Sequence, residues 1–292
     1  MKRIKRLVRP VVQRVISPKG VQRLRFLLWC FSSYLPRLLT SRFRKRKPDV
    51  RTFGVTSGSS TVAKQLQSAN LLGRTELCYI MSKCGSDKAG ANNYTPLYWS
   101  LFKDRREEPL RVFELGLGSN NPHLASNMGV FGVPGASLRG WRRFFPQALV
   151  YGADIDRDIL FEEPRIKTFY CDQLNQGVIR DMWSRPELQG GMDIIIEDGL
   201  HTFEANISFL GVSLDHLRPG GIYVIEDIGW DSFDEWWKML GAVCTEKYPT
   251  YEFAFVVLAD RGSNNVLVIR RSANDTASRD MIVTEGGARA RK

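Results

Sequence analysis

The chain has 292 residues, 43% of them hydrophobic, so it can bury a sizeable core as one large domain or two small ones. Its net charge of +11 is uneven: residues 1–50 hold 15 Lys or Arg against Asp49 alone, a charge of +14, which leaves the rest of the chain at −3. The basic character belongs to the N-terminal segment, and this excludes reading the whole protein as a nucleic-acid binder. Five scattered cysteines with no CxxC pair argue against a disulfide framework or a zinc site and fit a reducing cytoplasm.

Residues 1–47 read as a basic amphipathic segment. Ile4, Leu7, Val8, Val11, Val12, Val15 and Ile16 recur at helical spacing between cations, and Pro10 would kink or restart the helix. Residues 42–47 close it with five positive charges in six positions. Such a segment can lie on an anionic membrane surface from the cytoplasmic side, dock on its own enzyme body or a partner, or remain a solvated arm. Residues 26–35 are apolar but too short to span a bilayer, and they make a poor secretory signal. The Ser-, Thr- and Gly-rich stretch that follows is expected to be a linker over 48–70.

From 71 to 272 the pattern alternates strand and helix. Strands are expected at 111–115, 148–153, 166–171, 192–196, 222–225, 251–258 and 265–271. Helices are expected at 137–145, 174–184, 202–217 and 233–247. Alternation implies a parallel sheet covered on both faces, an α/β fold. The last two strands are joined too tightly for a helical crossover, so they must be antiparallel neighbours. A seven-stranded, mostly parallel sheet ending in an antiparallel hairpin is the methyltransferase variant of the Rossmann-like fold. The polar tail, 273–292, is expected to be disordered.

In open α/β sheets the chemistry sits beyond the carboxyl ends of the strands. The first of these strands ends Glu114-Leu-Gly-Leu-Gly118, and the glycines let backbone approach a ligand closely. The next ends Gly152-Ala-Asp154, placing an acid where it can accept hydrogen bonds from both hydroxyls of a ribose. Glu114, Gly116 and Gly118 together with Asp154 therefore suggest a nucleoside cofactor. Cys171-Asp172-Gln173 follows and suits an adenine edge, although Asp172 alone could equally cap the next helix. The long loop from Ser119 to the next helix disfavours a pyrophosphate, which needs a glycine turn opening directly into a helix.

Two further strands end Glu197-Asp198-Gly-Leu-His201 and Glu226-Asp227. If these strands are neighbours, Asp198, Glu226 and Asp227 converge, and a hard divalent cation, Mg²⁺ or Mn²⁺, would relieve their repulsion. Such an ion could hold and acidify a hydroxyl, with His201 as the base that removes its proton. The alternative is that these acids cap helices and His201 merely satisfies them.

The ordered series Cys84-Gly-Ser-Asp-Lys88, Asn93-Tyr-Thr-Pro-Leu-Tyr98, Phe113–Gly118, Pro134-Gly-Ala-Ser-Leu138, Tyr151–Asp156, Ile196–His201 and Ile225–Asp227 resembles the macrolide-sugar O-methyltransferases, among them the macrocin and mycinamicin sugar enzymes. It is also similar to bacterial proteins that carry a cephalosporin-hydroxylase name. The likeness covers about residues 76–271. It implies a class I S-adenosylmethionine-dependent O-methyltransferase that uses Mg²⁺ to methylate a sugar hydroxyl. Asp198, Glu226 and Asp227 would hold the metal, and His201, beside Asp198, would be the base. The segments bearing Lys88, Tyr94 and Thr95 would close over the cofactor. The basic arm and the long loop 120–135 depart from the resemblance and point to a different acceptor, such as a lipid-linked glycan at the inner face of the cell membrane. Self-association is left open.

Two other classes compete. An iron-dependent hydroxylase on this fold would need two histidines near one carboxylate, and the chain has only His123, His201 and His216. A non-catalytic module could keep the cofactor pocket alone.

Overall fold

The computed structural model of the chain describes residues 49–53, 61–68, 73–89, 94–241, 248–257 and 265–275. The basic segment 1–47, the expected helix end at 242–247, the link 258–264 between the last two expected strands, and the tail from 276 lie outside the described residues.

Nine strands form one sheet: β1 (Asp49–Phe53), β2 (Arg111–Leu115), β3 (Leu149–Asp154), β4 (Glu162–Glu163), β5 (Ile166–Tyr170), β6 (Met192–Glu197), β7 (Leu217–Ile228), β8 (Tyr251–Val257) and β9 (Asn265–Arg271). Their order is β1-β8-β9-β7-β6-β2-β3-β5-β4. Strands β5, β3, β2, β6 and β7 run parallel. β9 is antiparallel to both β7 and β8, which is the expected terminal hairpin. The expected Rossmann-like sheet is therefore present, with two more strands than expected, one on each edge.

Those edges correct the sequence reading. The stretch 48–70, expected as a linker, holds β1, antiparallel to β8, and helix α1 (Thr61–Ser68). β1 is specified by pairing with a strand some 200 positions later, Asp49 opposite Val257, and local composition does not report such pairing. The tail also begins later than expected. Asp275 is buried and accepts a hydrogen bond from Arg271 Nε at 2.7 Å, so 272–275 pack on the end of the sheet.

Six more helices follow among the described residues: α2 (Glu76–Cys84), α3 (Thr95–Phe102), α4 (Ala136–Phe144), α5 (Gln176–Trp183), α6 (Phe203–Ser213) and α7 (Phe233–Met239). Asn175 accepts hydrogen bonds from the backbone N–H groups of Gly177 and Val178 and so caps α5, while Asp172 braces only the turn before it through Leu174 N–H. The run Arg218-Pro-Gly-Gly221, which follows the helix expected at 202–217, lies inside β7 as an irregularity where the register with β6 shifts between Met192 and Ile194.

Side chains alternate across each strand and build two cores. On one face Val112, Val150, Ile194, Ile196 and Val224 pack against Met81, Tyr98, Phe102, Leu138 and Trp141 from α2, α3 and α4. On the other, Phe113, Tyr151, Ile195, Tyr223 and Ile225 pack against Ile179, Trp183, Phe209 and Trp236 from α5, α6 and α7. Near-continuous apolar runs in the central strands follow from burial on both faces. Both layers stop at the carboxyl ends of β2, β3, β6 and β7, where glycine and acidic residues take over.

Candidate active site

Strand β2 lies between β3 and β6, so Leu115 is opposite both Ala153 and Glu197. The chain then turns at Gly116, whose φ is +91°. A side chain there would put its Cβ 1.9 Å from the carbonyl oxygen of Asp198, so only glycine allows β2 and β6 to end side by side. Beyond this turn lies a cavity of about 360 Å³, walled by Gly116–Gly118, Asp154, Asp172, Gln173, Asp198, His201 and Asp227, with Leu124–Met128 of the long loop across it.

Asp154 reaches that wall. Its Oδ2 accepts Leu117 N–H at 2.7 Å and its Oδ1 accepts Asp156 N–H at 2.9 Å, which leaves a lone pair on each oxygen for a diol. Burial raises its pKa, and the backbone donors oppose that rise. Glu114 lies deeper. Its oxygens accept from Ser137 Oγ at 2.6 Å and from Trp141 Nε1, so it pins α4 to β2 at the edge of the cavity. Ile155 and Leu174 were not singled out in the sequence. They are 46% and 56% exposed and form apolar lips on the same cavity, suited to clasping a flat ring. An apolar residue one or two positions after the acid beyond a strand, Ile155 after Asp154 and Leu174 after Asp172, was the available signal.

Gln173 lines the cavity, but both ends of its amide are engaged by protein groups. Its Nε2 donates to Glu197 Oε1 at 2.5 Å, and its Oε1 accepts Leu200 N–H at 2.9 Å. Gly199 packs so closely that any Cβ would lie 2.2 Å from that Oε1. Gln173 thus clamps the Asp198–His201 loop. Gln173→Leu, which cannot make either bond, is expected to lower turnover about tenfold or more while cofactor affinity changes by less than threefold, on a loss of about 1–3 kcal/mol in loop order. Steady-state rates and calorimetric binding of S-adenosylhomocysteine check this split.

Glu197 is buried, and one of its oxygens has no protein partner. Burial, opposed by the Gln173 hydrogen bond, raises its pKa to about 8. The folded state therefore holds a proton that the unfolded chain releases near the ordinary carboxylate value. The associated stability is full at acid pH and is lost as pH rises through about 8. The melting temperature should fall between pH 6 and pH 9, and Glu197→Gln should flatten that fall. An equal slope in the variant rejects this assignment.

The carboxylates at the ends of β6 and β7 do converge. Ligand atoms of Asp198, His201 and Asp227 lie within 4.8 Å of one another, and His201 Nε2 is 3.9 Å from Asp198 Oδ1. Three non-glycine residues among those described have positive φ, and two of them are His201 (+62°) and Asp227 (+54°). Backbone strain costing about 1–3 kcal/mol per residue is thus concentrated where these side chains meet. Asp227 also accepts a hydrogen bond from Tyr94 Oη at 2.5 Å, and its pKa is raised by burial and by Asp198.

Glu226 is farther in. Both its oxygens are 2.9 Å from Lys88 Nζ, and Tyr98 Oη donates to it as well. Lys88 Nζ also lies 2.5 Å from Asp198 Oδ2 and 3.5 Å from Glu114 Oε1. Burial opposes charge on this ammonium, but Asp198, Glu114 and Glu226 together hold its pKa well above the ordinary lysine value. Burial likewise drives the Glu226 pKa well up, partly offset by Lys88. Two of the expected cofactor contacts lie elsewhere: Tyr94 supports Asp227 from outside the cavity wall, and the Thr95 hydroxyl donates to Cys78 Sγ at 2.9 Å in the core. His201 and His216 flank α6, 11 residues long and so about 16 Å end to end. His216 stacks on Trp183, and His123 is exposed on the long loop. No two-histidine iron site forms among the described residues.

The strand order, the terminal hairpin and the cavity beyond the parallel strand ends define a class I methyltransferase fold. In sequence the chain is similar to sugar O-methyltransferases. It is 35% identical over 144 residues to the 8-demethyl-8-alpha-L-rhamnosyl tetracenomycin-C 2'-O-methyltransferase of Streptomyces olivaceus, covering 49% of this chain and 35% of that protein. It is 36% identical over 156 residues to the demethylmacrocin O-methyltransferase of Streptomyces fradiae, covering 53% and 35%. In structure it is similar to the MycE methyltransferase of the mycinamycin biosynthetic pathway, crystallised with Mg and SAH, with a TM-score of 0.51 and 27% identity over 70% of this chain and 57% of that one. No family model matches the chain. The matched region spans only about a third of the length of these two curated relatives (35% of each).

Proposed function

We propose that the chain is an S-adenosylmethionine-dependent O-methyltransferase, assisted by a divalent cation, that acts on a hydroxyl of a sugar or glycoconjugate. The observation that carries this reading is the meeting of His201, Asp198 and Asp227 at one end of a cavity whose other walls are Gly116–Gly118, Asp154 and Asp172. The curated relatives named above methylate sugar-bearing molecules, and MycE is crystallised with Mg, SAH and mycinamycin VI.

The donor set fits a hard cation, because it offers several carboxylate oxygens, and two of its acids, Asp198 and Glu226, already share the ammonium of Lys88. Asp198 and Asp227, with Glu226 behind them, would hold Mg²⁺ or Mn²⁺. When bound, that ion would orient the acceptor hydroxyl and make it more acidic. The sulfonium of the methyl donor supplies the electrophilic methyl group. Asp154 would accept the ribose hydroxyls, and Ile155 and Leu174 would clasp the base. His201 would take the hydroxyl proton at an imidazole nitrogen, steadied by Asp198, while the Gln173 clamp keeps the loop in place. Most of the rate gain would come from positioning.

Incubating the full chain with S-adenosylmethionine, Mg²⁺ and a panel of glycosylated acceptors tests the proposal. It predicts S-adenosylhomocysteine and a product heavier by one methylene, both suppressed by chelation. Oxygen consumption would favour a hydroxylase, and binding without product from any acceptor would favour a non-catalytic module.

The charge of +14 on residues 1–50 supports a second element of the proposal, peripheral contact with anionic lipid and a lipid-linked acceptor. Among the described residues no helix is long and apolar enough to cross a membrane. The full chain should float with anionic liposomes, and a chain lacking residues 1–47 should not; identical behaviour rejects the membrane contact.

A further inference from the structure

Lys88 is the one cation inside the carboxylate cluster among the described residues, and its place is unusual for a residue expected to touch the cofactor. It is 2% exposed. Its Nζ has three N–H groups, and the neighbours that take them are all carboxylates: Asp198 Oδ2 at 2.5 Å, both oxygens of Glu226 at 2.9 Å and Glu114 Oε1 at 3.5 Å. Glu114 is already satisfied by Ser137 and Trp141, so the ammonium is chiefly the counter-charge of Asp198 and Glu226. These are two of the three acids that would hold a divalent cation.

We propose that Lys88 and the divalent cation compete for Asp198 and Glu226, so that metal entry requires Lys88 to withdraw from them. This rests on the metal-assisted reading above. A hard cation bound by Asp198 and Glu226 would share the two carboxylates that Lys88 now contacts, at Asp198 Oδ2 and at both oxygens of Glu226. It would also stand next to a buried positive charge whose acceptors among the described residues are those two carboxylates and Glu114. Lys88 therefore keeps the acids folded and neutralised without metal, and its release couples metal binding to rearrangement of the segment 86–88 on the cavity wall. The rival is a passive role, in which Lys88 stays and simply aims Asp198 at the ion. The two differ in sign: under competition loss of the ammonium tightens metal binding, and under passive support it weakens it.

The test is Mn²⁺ titration of the full chain, followed by electron paramagnetic resonance, for wild type, Lys88→Met and Lys88→Gln. Competition predicts at least tenfold tighter Mn²⁺ binding by both variants. It also predicts a lowered melting temperature that Mn²⁺ raises by more than it raises that of wild type. Equal or weaker binding by the variants overturns the proposal. A wild type that binds Mn²⁺ no better than Asp198→Asn, with variants that behave the same way, overturns the metal reading itself. If neither Lys88 variant folds, the wild type decides: its protected Lys88 ¹⁵Nζ resonance, assigned with Lys88→Arg, should move to a solvent-exposed position on saturation with Mg²⁺. A resonance that stays in place under saturation overturns competition.

Discussion

Replacing His201 by Asn is expected to lower methyl-transfer turnover by about 10²–10⁴-fold, the range a positioned general base supplies, while S-adenosylhomocysteine binding changes little. Asn is the informative substitution because His201 adopts φ +62°, a left-handed conformation that Asn tolerates and most residues do not. The imidazole is lost without new backbone strain, so a fall in rate reports chemistry. Its Nε2 is 3.9 Å from Asp198 Oδ1, within the group that also contains Asp227. His216 cannot replace it, since it is stacked on Trp183 beyond the far end of α6. Initial rates of S-adenosylhomocysteine release, read beside calorimetric binding of the same molecule, separate the two effects. Near-normal turnover in His201→Asn would remove His201 from the reaction and leave the proton without its assigned acceptor.

The parts of this site legible in the sequence are those set by strand ends. A parallel strand buried on both faces is an apolar run, and the first polar residues after it must lie at its carboxyl edge. Asp154, Asp198, His201, Glu226 and Asp227 all follow that rule: β3 and β6 end where their apolar runs stop, and Glu226 and Asp227 come directly after the apolar run 222–225, within the last three residues of β7. Contacts made across the fold were not legible. Lys88 is 110 positions from Asp198 and 138 from Glu226, and nothing local distinguishes a lysine aimed at a cofactor from one buried among acids. Gln173 was placed at the correct strand end, but whether its amide faces a ligand or the loop before α6 depends on side-chain geometry. Thr95 follows Tyr94 at the start of α3, and the helix turns their hydroxyls to different partners, Cys78 and Asp227. Of the two added strands, β1 escaped for the same reason, since its partner β8 lies some 200 positions later; β4 pairs locally with β5 but is only two residues long, too short to carry a periodic signal.

Asp154→Ala should show the opposite pattern from His201→Asn: cofactor binding weakened by about 10²-fold or more, with the catalytic cluster intact. Two charge-assisted hydrogen bonds to a ribose diol are worth about 1.5–3 kcal/mol each, and the alanine variant loses both. It also loses the acceptor for Leu117 N–H, at 2.7 Å, and for Asp156 N–H, at 2.9 Å, so the glycine turn beneath the cofactor loosens as well. Asp154→Asn separates these contributions. Its single carbonyl oxygen can keep the Leu117 bond but cannot serve two ribose hydroxyls with full charge, so its affinity should lie between wild type and alanine. Because Lys88, Asp198 and Glu226 hold one another across the other wall of the cavity, Mn²⁺ binding should be unchanged in both variants. Calorimetric titration with S-adenosylhomocysteine and with Mn²⁺, on the same preparations, checks both halves. Wild-type nucleoside affinity in Asp154→Ala would move the cofactor off the end of β3, and a loss of Mn²⁺ affinity equal to the nucleoside loss would mean that the variant has damaged the whole strand edge.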